Sequence, residues 1–165
     1  MARNPDRPAR SRAYRAAEAD LGYHAVCMIG YARPVPRDWG DNRGVQPVRI
    51  AMSKKPRDAA RRPDIESPIH QIEVLDYVLV ESEAHARLLK AKLDELLVGT
   101  SDESKALRHG WRDLDGDHTM VWPILLEQAV RELTAAAKSR RATSFSVFDE
   151  AEKERRVTRR ARGRG

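Results

Sequence analysis

The sequence predicts an α+β fold, a small, mostly antiparallel three-stranded sheet flanked by helices, with basic disordered tails. Three observations carry this. Short apolar runs rich in β-formers occur near residues 24–31, 47–52 and 71–80, bounded by Pro- and Gly-containing segments. Two longer stretches repeat apolar residues at three and four positions, the spacing of one helix face. The resulting order of strand, strand, helix, strand, helix, short strand, helix places the helices on the faces of the sheet. A length of 165 residues suits one domain plus terminal extensions.

The first strand is His24-Ala-Val-Cys-Met-Ile-Gly-Tyr31, apolar enough at successive positions to be mostly buried. Residues 32–46 hold Pro34, Pro36, Gly40, Asp41, Asn42 and Gly44 and form a loop. Pro47 to Met52 alternates apolar and polar residues, as a second strand pairing with the first in a long-looped hairpin. Ser53 is placed to cap a short helix with Pro56 in its first turn, ended by Pro63 after Arg62. Gln71 to Val80 gives the strongest strand pattern in the chain. Ser82 then caps a helix whose Ala86, Leu89, Leu93, Leu96 and Leu97 share one face, closed by Gly99. Leu107 to Leu114 reads as a short strand, with Asp115-Gly116 as a tight turn. Thr119 is the expected cap of a last helix carrying Leu125, Ala129, Leu133 and Ala136 to about Lys138, and Phe145, Val147 and Phe148 dock a short segment beyond it. Domain boundaries follow: a basic arm over 1–20, the α+β domain over 21–140, and a basic tail over 141–165.

Charge is distributed unevenly. The formal net charge is +6, yet residues 1–16 hold five Arg against Asp6, and residues 153–165 hold seven Lys and Arg against Glu154. Residues 17–152 then hold 19 basic and 23 acidic residues, so the middle of the protein is acidic. One strip inside it is basic: Arg49, Lys54, Lys55, Arg57, Arg61 and Arg62 against Asp58. Both terminal segments read as arms without apolar periodicity, free to follow a phosphate backbone. A single cysteine, Cys27, excludes an internal disulfide. No run reaches the roughly 18 apolar residues of a membrane span, and the N-terminal segment lacks an apolar signal core, so the expected location is cytoplasmic.

Ala25-Val-Cys-Met-Ile-Gly30, Val48-Arg-Ile-Ala-Met-Ser53 with Pro56 at the following helix start, the Ala86-x-x-Leu89-x-x-x-Leu93 rhythm, and Gly110-Trp111 together resemble the GIY-YIG endonuclease superfamily. The likeness is to its short branch with a Lys-Ile-Gly-like second motif, and it covers about residues 23–114. It implies a three-stranded sheet flanked by helices that cuts one DNA strand. A tyrosine takes the proton, a helix arginine neutralises the phosphate, and a glutamate anchors one divalent metal. At the first-motif tyrosine position stands Cys27, with Tyr31 four residues on. Arg49-Ile-Ala51 replaces the second motif, while Ser53 is kept. The helix-arginine position falls at Ala59, with Arg57, Arg61 and Arg62 as displaced candidates. Lys90 stands where the metal glutamate belongs, and an ammonium repels Mg²⁺; Glu81 and Glu83 lie earlier on the helix.

Other patterns are weaker. Asp113-Leu-Asp-Gly-Asp117 has its glycine too early for a calcium loop and reads as a turn. The five histidines never fall at close ligand spacing, and His85 reads as a solvated residue. Trp111 reads as a core anchor before a base-stacking platform. The expected function is therefore a nucleic-acid-binding protein, with DNA as partner, on a GIY-YIG-like fold that has lost its nuclease chemistry. Its phosphate-binding residues would be Arg49, Ser53, Lys54, Lys55, Arg57, Arg61 and Arg62, with no cofactor and no membrane partner. Two alternatives stand beside it. One is a structural protein of a phage or nucleoprotein assembly, tied to protein partners through its arms. The other is an active Mg-dependent endonuclease using Tyr31 and Glu81.

Overall fold

A computed structural model describes residues 11–31, 35–36, 44–61, 72–100, 111–114, 117–139 and 145–163. Its centre is strand β1 (His24–Tyr31), paired antiparallel with β3 (Gly44–Ser53) on one side and β4 (Ile72–Val80) on the other. Two short pieces, β2 (Val35–Pro36) and β5 (Arg112–Leu114), extend the outer edge of β3. The predicted α+β class and three-stranded antiparallel sheet are thus present.

Residues Ala25 to Ile29 of β1 are all fully buried, which means that both faces of the sheet are covered. On one face Val26 and Met28, joined by Val48, Ile50 and Val80, meet helices α2 (Glu83–Thr100) and α3 (His118–Ser139). Ala86, Leu89, Leu93 and Leu97 form the inner stripe of α2, as the spacing predicts, and Trp122, Leu125 and Ala129 form that of α3. On the other face Ala25, Cys27, Ile29, Ala51 and Leu79 meet Ala59, Tyr23, Phe148 and two further helices. These are α1 (Arg12–Leu21) and α4 (Glu150–Arg162).

The expected disordered tails are therefore corrected over residues 12–21 and 150–162, which form the second covering layer. Each has the signals of a docked helix on a narrow scale. In α1 Ser11 accepts from the Tyr14 N–H at 3.1 Å, Gly22 ends the helix in the left-handed region at φ 59°, and Tyr14, Ala17 and Leu21 face inward. In α4 Asp149 caps the Glu152 N–H at 2.8 Å, and acidic residues fill the first turn while Arg159, Arg160 and Arg162 fill the last, matching the helix dipole at both ends. Val157 is fully buried, with Ala161 packed beside it one turn on. One apolar residue per turn, set among arginines and glutamates, gives an inward stripe too thin to register as periodicity. The start of α4 is also tied to the sheet: Phe148 exchanges backbone hydrogen bonds with Leu79 on β4, at 2.9 and 3.0 Å.

Smaller differences are local. The helix expected at Pro56 is a single 3₁₀ turn, Pro56–Asp58, and Ser53 does not cap it; the Ser53 hydroxyl donates to the Lys55 carbonyl. Ser82 caps α2 as expected, bonding the His85 N–H at 3.2 Å, but the helix continues through Gly99 to Thr100. Asp117, not Thr119, starts α3, accepting from the Thr119 N–H at 2.9 Å. Arg62, Pro63, Leu107 to Gly110 and Asp115-Gly116 lie outside the described residues.

A β-bulge in β4 places Leu75 as an extra residue between partners of Met28 and Ile29. Leu75 turns to the α2/α3 face and crowds Gly30. A Cβ there would stand 2.7 Å from Leu75 Cδ1 and 2.8 Å from the Pro47 carbonyl oxygen, and that backbone atom cannot rotate away. Gly30→Ala is expected to lower stability by about 1–3 kcal/mol, read from the urea midpoint. For α4, Val157→Ala is expected to cost about 1–3 kcal/mol in the same measurement. An unchanged midpoint would restore the free-arm description of this segment.

Candidate nucleic-acid interface

Most positions that the family resemblance singles out are structural. Cys27 is fully buried, its Sγ 3.9 Å from the Pro56 carbonyl oxygen, and burial pushes the thiol up to about 12. Ala59, at the helix-arginine position, is fully buried against the same sheet face. Lys90 bonds Asp94 one turn along α2 at 2.7 Å. Tyr31 closes β1 opposite Ile72. Glu81 follows β4 and is held by Arg156 of α4 at 3.0 Å. Trp111 packs against the α1/α4 core, in line with the anchor reading. His85 is not simply solvated: its ring contacts Ser82 Oγ at 3.1 Å and stands edge-on to Phe145, centroids 5.5 Å apart.

The expected phosphate-binding strip divides. Arg49 lies half-buried on β3, opposite Ile29 and so on the α1/α4 side of the sheet. Lys54, Lys55, Arg57 and Arg61 are exposed around the 3₁₀ turn. Lys55 and Arg57 open onto a groove of about 880 Å³ whose other walls come from α1, β4 and the first half of α4. Those walls are acidic, with Glu18, Asp76, Glu150 and Glu154 against Lys153. They are also internally paired: Tyr14 Oη donates to Glu154 at 2.6 Å, Tyr77 Oη to Glu150 at 3.3 Å, and Lys153 reaches Glu18 at 2.8 Å. Burial, then the adjacent Glu150 carboxylate, raises the Tyr77 pKa, so it stays a protonated phenol at neutral pH and is not poised as a base.

The second half of α4, which the sequence presents as a basic arm able to follow a phosphate backbone, forms a different surface, carried on a docked helix. Arg159, Arg160 and Arg162 are exposed and have no carboxylate partner among the described residues. Arg156 is instead a structural hub. Its Nε bonds Glu152 at 3.0 Å, its NH1 bonds Glu81 at 3.0 Å, and its guanidinium carbon lies 4.3 Å from the centre of the Phe148 ring. The Arg156 contact holds the Glu152 carboxyl below its ordinary range. Beside this hub runs a second groove of about 820 Å³, lined by Asp20, Leu21, Tyr23, Glu81, Arg156, Arg159, Arg160 and Gly163. Three guanidiniums face two carboxylates, and Tyr23, only 6% exposed, has a hydroxyl without a hydrogen-bond partner. Burial raises the Tyr23 pKa, so that hydroxyl remains a donor.

Among the described residues no group of three or more His, Cys, Asp and Glu side chains is arranged around a metal position. No described helix is long and apolar enough to cross a membrane. Comparison with models of known families, with curated proteins and with solved structures gives no match.

Because the Tyr23 hydroxyl is buried without a partner, Tyr23→Phe is expected to hold or raise stability, by up to about 1–3 kcal/mol. A fall in the urea midpoint would mean that the hydroxyl is held by a partner in the folded state.

Proposed function

We propose that the protein binds nucleic acid, with DNA as the first candidate, through phosphate contacts from the C-terminal half of α4, joined by Lys54, Lys55, Arg57 and Arg61 around the 3₁₀ turn. The observation that carries this reading is the set of three exposed arginines, Arg159, Arg160 and Arg162, which form no ion pair with a described residue, on a helix fixed to the sheet by Val157 and its Asp149 cap. Unpaired guanidiniums held on a rigid helix bind phosphate oxygens without first breaking an ion pair or ordering a loose chain. The two basic places are separated by the internally paired acidic groove, and the 13 residues of α4 span roughly 20 Å between its ends.

This reading keeps the GIY-YIG resemblance as a proposal about ancestry and the loss of nuclease chemistry as its companion. Support for that loss is local. A buried cysteine and a buried alanine stand at two of the chemical positions, an ion-paired lysine stands at a third, and Glu81 is engaged by Arg156. Binding by charge contact predicts a linear fall of log affinity with log salt, about 0.9 per duplex phosphate neutralised. Replacing Arg159, Arg160 and Arg162 with Gln is expected to lower that slope by about two to three. Charge reversal at Lys54, Lys55 and Arg57 is expected to lower it further. A slope untouched by both variants overturns the reading.

A further inference from the structure

The groove beside Arg156 has features that a general phosphate-tracking surface does not need. Tyr23 is more than nine-tenths buried and lines the groove, and its hydroxyl is the one buried side-chain polar atom without a partner among the described residues. A buried hydroxyl left unbonded is costly, and such groups are normally satisfied by a ligand or an ordered water. Arg159 and Arg160 line the same groove, both exposed and in no ion pair with a described residue. Two open guanidiniums match a doubly charged phosphoryl group, whereas one carboxylate would neutralise only one of them.

We propose that this groove is a discrete phosphoryl-binding site, in which Tyr23 donates its hydroxyl hydrogen to a phosphoryl oxygen while Arg159 and Arg160 neutralise the charge. The site deepens the nucleic-acid reading and takes from it the expectation that a strand supplies the phosphoryl group. Asp20 and Glu81 also line the groove and oppose an anion. Glu81 is already neutralised by Arg156 at 3.0 Å, and the lining as a whole keeps one positive charge. The charged neighbours of the Tyr23 phenol include Arg156, Glu81 and Glu152, with the Lys153 ammonium 5.9 Å from the centre of its ring. The Arg156 and Glu81 side chains, which line the same groove, are 31% and 50% exposed.

The test is calorimetric titration of the full chain with inorganic pyrophosphate at fixed ionic strength. Saturable binding to one site is expected, weakened about ten- to hundredfold in Tyr23→Phe and in the Arg159→Gln, Arg160→Gln double variant. The Phe variant removes only the donor, and its urea midpoint verifies that the fold is retained. Pyrophosphate binding that is absent, or equal in Tyr23→Phe, overturns the site. A 5′-phosphorylated oligonucleotide that competes with pyrophosphate supports the site with a strand as the source. Retained pyrophosphate binding without competition supports it with a free phosphate compound as the source. The two readings fail separately: a full salt slope on DNA with no pyrophosphate site overturns the groove alone, and Tyr23-dependent pyrophosphate binding with no DNA affinity overturns the nucleic-acid reading alone.

Discussion

The rest of the molecule depends on a strand that is apolar on both of its faces. Successive side chains of a strand point in opposite directions, so Ala25, Val26, Cys27, Met28 and Ile29 cannot all be removed from water by one layer of helices. The α2/α3 layer covers Val26 and Met28. Ala25, Cys27 and Ile29 need a second cover, and among the described residues it comes from the helices at the two ends, together with the 3₁₀ turn that brings Ala59 in. The small residues Ala17, Ala25, Ala51 and Ala59 allow this cover to sit close. Cys27 is part of that packing, and its raised pKa follows from the same burial.

Recruiting a charged terminal segment as a covering layer has an electrostatic consequence. Helix α4 spends its inward stripe on Val157 and Ala161 and sorts the remaining charges by position along the axis. The carboxylates of its first half face α1 and the 3₁₀ turn, where Glu150 and Glu154 are taken up by Tyr77 and Tyr14. Its basic second half runs past the end of the acidic wall, so Arg159, Arg160 and Arg162 form no ion pair with a described residue. Arg156, at the boundary, is used internally: it joins β4 through Glu81, its own helix through Glu152, and the Phe148 anchor through its planar face. The division between paired and unpaired arginines thus comes from the helix dipole and the position of the cap, and on it rests the proposed phosphate-binding surface.

Much of the sheet was legible because its signals are local. Alternation in Pro47 to Met52, the continuous apolar run of β1 and the Leu89, Leu93, Leu97 stripe each report their own environment. Register was less so: the bulge that inserts Leu75 and thereby fixes Gly30 as a residue with no side chain arises from pairing between two strands, which neither strand encodes alone. The terminal helices did carry signals in Ser11 with Gly22, and in Asp149 with Glu152. A cap without a wide apolar face looks like a solvated tail, because an isolated helix of this length is marginal in water and gains its stability from docking.

What the sequence by itself determined is the set of elements that satisfy short-range rules: an α+β chain, three strands of identifiable polarity, two helices with full apolar faces, and an acidic middle between basic ends. Tertiary structure decided what those basic ends are. The demand of β1 for a second cover folds residues 12–21 and 150–162 onto the sheet, and once folded, α4 separates a structural arginine at position 156 from the exposed ones at 159, 160 and 162. Burial of Tyr23 with its hydroxyl unpaired was likewise decided there, since whether a tyrosine keeps or loses its water depends on Phe148 and Arg156, more than a hundred positions away in the chain.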